Sequence, residues 1–160
     1  SRSSAASDVY KRQGEQGMDY AYAQFFTGRQ DTGIMDHYRA HLSDGFPGRT
    51  LSAVCVSAAP TRQEALEQSL MAANFRVSLG TGRPVTFVTA SQMDAETRSL
   101  LTSYVLSNED TIFVGDYDEV ADKLTAFQDA HHVDELMLIS YIDNVQTKVE
   151  RYRQLAKRLI

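Results

Sequence analysis

An α/β fold, with parallel strands joined by helical crossovers, is predicted by three features of this sequence. Residues 117–132, 135–140 and 143–160 read as helix, strand and helix in turn. Residues 50–59, Thr-Leu-Ser-Ala-Val-Cys-Val-Ser-Ala-Ala, are apolar on both alternating faces, as expected of a strand covered on two sides. Finally, strand-like runs at residues 18–26, 50–59 and 135–140 each precede a helical pattern.

The elements follow in order. Residues 1–13 are polar and Ser-rich, lack a hydrophobic period and do not begin with Met, so a disordered tail is expected. Asp8-Val9-Tyr10-Lys11-Arg12-Gln13 also resembles one translated frame of a transposon end used to prepare sequencing libraries, which would make the stretch an artefact. Aromatic density over residues 18–26 predicts a buried strand, and residues 27–33 a loop. Ile34, Tyr38 and Leu42 share a helical stripe that Asp44-Gly45 and Pro47-Gly48 end. Thr61 with Glu64 forms a capping-box pattern before a helix running to about residue 79, with Ala65, Leu66, Ser69, Leu70, Ala73 and Val77 inside. Gly80 and Gly82 stop it. Residues 83–113 read as an insertion, helical over 91–105, then a short extended segment at 111–115. Asp116, with Glu119 three residues on, is an N-cap for a helix whose stripe is Val120, Leu124 and Phe127. The last helix places Val145, Val149, Tyr152 and Ala156 on one face, with Leu155 and Leu159 beside it. Three strands are few for such a sheet and leave apolar edges open.

Bulk properties narrow the function. The 160 residues carry a formal charge of −5 without a Lys/Arg run, which argues against a nucleic-acid partner. No apolar stretch reaches the roughly 20 residues of a membrane span. The single Cys55 supplies neither a disulfide nor metal spacing, and a reducing, cytoplasmic setting is expected.

Several segments then resemble one family. Val114-Gly115-Asp116, Glu119-Val120, Lys123-Leu124, the run Val133-Asp134-Glu135-Leu136-Met137-Leu138, Asp143 and Leu155-Ala156 are similar to the C-terminal signature of luciferase-like flavin-dependent monooxygenases. The family's Gly-Ser/Thr-Pro turn is here Gly115-Asp116-Tyr117, without the Pro. Its Arg-x-x-Ser-like stretch is replaced by Lys148-Val149-Glu150-Arg151-Tyr152. Residues 18–26 resemble its Gly-Leu-x-Tyr-Ala-Phe-Ala-x-x-Phe strand, and residues 36–42 the Tyr-Arg helix that follows. Ser57-Ala58-Ala59-Pro60-Thr61 with Glu64-Ala65 resembles its Ala-Asp-Thr-x-Glu-Glu-Ala junction.

The resemblance implies a partial (β/α)8 TIM barrel, residues 14–160 being its last three strand-helix units plus an insertion. A whole barrel takes about 250 residues or more. The family's Gly-Ser-Ser-rich phosphate loop would precede residue 18, so little flavin binding is expected of this stretch alone. The implied cofactor is reduced FMN or a deazaflavin, and the implied partners are oxygen and a small organic substrate.

Barrels of this kind place chemistry at the C-terminal strand ends. Gln24, Phe25 and Phe26 stand at one such end, Ser140 and Tyr141 at another, as candidates to face flavin or substrate. Strand alternation points only one of Phe25 and Phe26 inward, so either can be ordinary core. No protein nucleophile is required, because flavin carries the oxygen chemistry. His37 and His41 have a metal-compatible spacing but lack a third ligand, and a solvated helix face is the alternative. His131-His132 reads as a helix-end contact and Cys55 as packed core. Asp134-Glu135 lies at the wrong strand end for acid-base work, and Gly80-Thr81-Gly82 lacks the rest of a dinucleotide loop. A second functional reading is a small non-enzymatic α/β protein that completes its sheet as a homo-oligomer or with a partner.

Overall fold

The computed structural model describes residues 2–27 and 33–160, with side chains for residues 9–26 and 33–160. The elements are α1 (Arg2–Glu15), β1 (Tyr20–Tyr22), α2 (Gln24–Thr27), α3 (Ile34–Arg39), β2 (Thr50–Ala59), α4 (Arg62–Thr81), a 3₁₀ turn (Ala90–Gln92), α5 (Ala95–Leu106), β3 (Ile112–Asp116), α6 (Tyr117–His131), β4 (Glu135–Ile139) and α7 (Val145–Leu159). β2 pairs in parallel with β1, Tyr20 opposite Thr50, and with β3, Cys55 opposite Ile112 and Ala59 opposite Asp116. β4 also pairs with β2. The predicted class, parallel strands with helical crossovers, is therefore present. The chain divides into two packing units, one of residues up to Ala53 with Ala126–Met137, the other of Val54–Thr125 with Leu138–Ile160.

In the first unit Tyr10, Tyr20, Met35, Tyr38 and Val133 form a buried cluster. Tyr20 and Tyr38 stack at 5.5 Å, and the Tyr38 hydroxyl donates to the Met18 carbonyl at 2.8 Å. Arg2–Glu15, in the stretch expected to be a tail, stand in helix α1. Its sequence lacks an apolar stripe, but Tyr10 packs edge-on against Tyr20 at 6.4 Å and stacks on His37 at 6.0 Å. At its end Gly14 lies so close to the His41 carbonyl that an added Cβ would sit 2.7 Å from it. Tertiary contact overrides weak local propensity. The strand expected over residues 18–26 is only Tyr20–Tyr22. Its partner β2 offers three paired positions, and the chain then turns, the Phe26 amide donating to the Ala23 carbonyl at 3.1 Å. Most of the loop expected at 27–33 lies outside the described residues.

In the second unit the predicted caps Thr61 and Asp116 are in place, and Asp94 caps α5. Thr61 accepts from the Glu64 amide at 3.2 Å, Asp94 from Thr97 at 2.7 Å and Asp116 from Glu119 at 2.9 Å. Gly82 closes α4 in the left-handed conformation, φ 69°. α4 packs against β3 and α5. β3 corrects the expectation of three strands: the segment read as a short extended stretch is a paired fourth strand, because Ile112, Phe113 and Val114 bury their side chains beside β2. In α7 the N-cap is Asn144, Leu155 is buried, and Val145 is 68% exposed. The apolar strand β4 is likewise only partly covered, with Met137 52% exposed.

Candidate functional site

The second unit holds the most developed site, where the chain leaves β4. Ser140 is buried, and its amide donates to the Tyr152 hydroxyl at 3.0 Å. That hydroxyl donates in turn to the Leu138 carbonyl at 3.2 Å, so α7 clamps the strand exit. Tyr141 then turns its ring onto two phenylalanines. It stacks on Phe75 of α4 at 5.3 Å and on Phe87 at 6.0 Å, while Phe75 and Phe87 lie 5.9 Å apart. The three planes stay within 28° of parallel. Such an offset-parallel array is the arrangement aromatic quadrupoles favour.

A groove opens beside Phe87 and Tyr141 of this array. One part, of about 680 Å³, is lined by Met71, Phe87, Ile139, Ser140, Tyr141 and Lys148, among others. A neighbouring part, of about 350 Å³, shares Met71 and Tyr141 and adds Glu67, Gln68 and Asn144. Its size and its mixed apolar and polar lining suit a small organic ligand. The segment that carries Phe87 is held on both sides. The Asn74 side-chain amide donates to the Thr86 carbonyl at 2.8 Å, and the Thr89 amide to the Gln92 side chain at 2.8 Å. Burial pushes the Tyr141 phenol up, helped by neighbouring Cys55 and opposed by Arg76. Burial likewise pushes the Cys55 thiol up to about 11, Arg76 opposing it, so this residue is packed core.

Gln24, Phe25 and Phe26 belong to the other unit, on the turn α2 that follows the C-terminal end of β1. Gln24 is buried, Phe25 half-buried and Phe26 53% exposed, with the two rings edge to face at 6.0 Å. The remaining polar candidates have structural roles. The His41 ring meets the His37 carbonyl at 2.7 Å, and the described residues hold no group of three or more His, Cys, Asp or Glu able to bind a metal. His132 closes α6 with a φ of 52° and its ring meets Asp36 at 2.9 Å. Asp134 accepts from the Thr50 amide at 2.7 Å and the Thr50 hydroxyl at 2.8 Å. Burial opposes the charge of Asp134, but Thr50 and the Arg39 guanidinium outweigh it and hold the carboxyl below its ordinary range.

Phe75 and Phe87 were not legible as site residues. Phe75 falls outside the apolar stripe of its helix, and Phe87 sits in the irregular run Arg83-Pro84-Val85-Thr86-Phe87. The usable signal was two aromatics bracketing the Gly80–Gly82 helix stop, which brings the chain back over α4.

Comparison with known proteins bears on this site. No protein-family model matches the chain. An N-acetyl-S-alkylcysteine monooxygenase of Bacillus subtilis (strain 168) is 24% identical over 149 residues, which are 90% of this chain and 44% of that protein. Among solved structures, apo-MsnO8 is 25% identical with a TM-score of 0.73, over 95% of this chain and 48% of its own. The monooxygenase RslO1 of Streptomyces bottropensis is 16% identical with a TM-score of 0.62, over 96% of this chain and 44% of its own, a likeness of fold. The oxygenating constituent of 3,6-diketocamphane monooxygenase of Pseudomonas putida, solved with FMN, is 14% identical with a TM-score of 0.56, over 94% of this chain and 44% of its own. The chain thus spans about half the length of the proteins it matches. No described helix is long and apolar enough to cross a membrane. The relatives and structural neighbours of this chain are luciferase-like monooxygenases, and the chain is similar to about half of each.

Proposed function

We propose that residues 14–160 are the closing strand-helix units of a barrel-type, flavin-dependent monooxygenase that acts on a small organic substrate. The observation that carries this reading is the match to apo-MsnO8 over 95% of the chain, with a TM-score of 0.73. The half-covered strand β4 supports it, since an apolar strand with Met137 half exposed suits a sheet that continues. The bound flavin, FMN or a deazaflavin, would activate oxygen; the protein binds, orients and excludes water. In this chain, Ser140 and Tyr141 form a rigid wall at the strand exit, locked by Tyr152. An aromatic wall of this kind fits a flat ring. Gln24, Phe25 and Phe26 are proposed as further residues facing flavin or substrate. A reducing, cytoplasmic setting belongs to the same proposal and rests on the lone, free Cys55.

The test is oxygen uptake. The genomic sequence upstream should continue in frame with about five further strand-helix units. The protein so completed should consume oxygen in the presence of reduced FMN or a reduced deazaflavin and an organic substrate. A completed protein that binds neither flavin overturns the reading. Stoichiometric flavin binding with turnover by residues 14–160 alone overturns the partial-barrel assignment.

A further inference from the structure

We infer that the groove lined by Phe87 and Tyr141 is the subsite for a planar aromatic ring of an uncharged substrate, rather than for the phosphorylated cofactor. The inference rests on the monooxygenase reading for the word substrate; the groove and its chemistry do not. Three near-parallel rings already stand in offset register, 5.3 to 6.0 Å apart. Phe87 lines the groove and is 61% exposed, so its ring has surface left for another flat partner. A further ring added there extends an array whose members already satisfy one another's quadrupoles. Phe87 does not collapse away, because its segment is tied down through Thr86 and Thr89.

The charges select against an anion. Asp143 and Lys148 line the part that Phe87 borders, and Glu67 of the neighbouring part is paired with Arg98 at 2.6 Å. A phosphate dianion beside Phe87 would meet the Asp143 carboxylate as well as the Lys148 ammonium, so no net positive charge holds it. Thr89, Ser91 and Gln92 offer hydroxyl and amide groups instead, the partners of a phenol, ketone or amide substituent. A volume of about 680 Å³ accommodates a molecule of two to three fused rings.

The full chain is titrated with 2-naphthol, 2-naphthyl phosphate and FMN, followed by probe fluorescence and by saturation-transfer NMR. The expected result is saturable binding of 2-naphthol, with 2-naphthyl phosphate weaker by about tenfold or more. Phe87→Leu weakens 2-naphthol by roughly 2- to 10-fold, the range of one aromatic pair, while Phe87→Tyr retains it. Both changes lie at an exposed position, and circular dichroism should be unaltered. No saturable 2-naphthol binding overturns the inference, as does an equal effect of Leu and Tyr at residue 87. FMN or 2-naphthyl phosphate that displaces 2-naphthol at comparable concentration assigns the groove to the cofactor and also overturns it. Binding of 2-naphthol by this chain, with no flavin-dependent oxygen uptake by the completed protein, sinks the monooxygenase reading and leaves the groove standing.

Discussion

Tyr152 holds Ser140 in place: its hydroxyl takes the buried Ser140 amide at 3.0 Å and gives its own proton to the Leu138 carbonyl at 3.2 Å. One side chain of α7 thereby satisfies two backbone groups at the point where β4 ends and Tyr141 begins. Tyr152→Phe keeps the ring and removes both bonds. Leaving the Ser140 amide unsatisfied should cost about 1–3 kcal/mol, read as a lowered urea midpoint with an unchanged slope. The same variant should weaken 2-naphthol, because Tyr141 loses its fixed exit angle. An unchanged midpoint would mean that water replaces the hydroxyl.

Gly115 leaves room for the Glu119 side chain. A Cβ at Gly115 would lie 2.6 Å from the Glu119 Cδ. The carboxylate there meets Lys123 at 2.9 Å and Arg62, and both cations also reach Glu109. Burial opposes the charge of Glu119, but Lys123 and Arg62 prevail and keep its carboxyl below the ordinary range. Gly115→Ala should destabilise by about 1–3 kcal/mol, as overpacking does. In a double-mutant cycle with Glu119→Ala the two losses should be less than additive, since the second change removes the atoms that clash. Strict additivity would place the strain elsewhere.

Asp134 should make stability depend on acid. Its folded-state carboxyl titrates below the ordinary 3.8 because the Thr50 amide and hydroxyl and Arg39 overcome the cost of burial. A lowered folded-state pKa contributes stability that is present above the unfolded value and lost as pH falls through the folded one. Urea midpoints should therefore hold from pH 6 to about 4 and drop below that. Thr50→Val retains the volume of the side chain and should shrink this acid drop; an unaltered drop would assign it to other carboxylates.

Tyr10 ties α1 to the first unit. It is the buried residue on that helix that touches both Tyr20 and His37. Tyr10→Ala should remove amide-exchange protection from residues 9–15 and lower helical circular dichroism, with a loss of about 3 kcal/mol if α1 unfolds with its unit. Retained protection would show that the close packing of Gly14 on His41 suffices.

Much of this molecule follows from local chemistry. Thr61, Asp94 and Asp116 cap helices because each side chain needs only the amide three residues on, a relation visible in any linear reading. Gly82 ends α4 for an equally local reason, its left-handed backbone. The apolar run at residues 50–59 announced a strand covered on two sides, and the order of such runs announced parallel strands with crossovers. Ser140 and Tyr141 were placed at a strand exit by the same pattern.

What remained was decided by partners distant in the chain. α1 forms from a sequence with no stripe because Tyr20 and His37 wait for Tyr10. β1 stops at Tyr22 because its pairing with β2 spans only three positions. Val145 is exposed and Leu155 buried because helical periodicity defines a stripe but not what covers it. The aromatic array needs Phe75, Phe87 and Tyr141 from three separate stretches, and no spacing rule joins them. The sequence by itself determined the helices from α3 to α7, their caps and the kind of sheet, because those depend on neighbours a few residues away. Only the tertiary structure decided the site, because ring stacking and groove charge depend on where the folded chain brings distant side chains together.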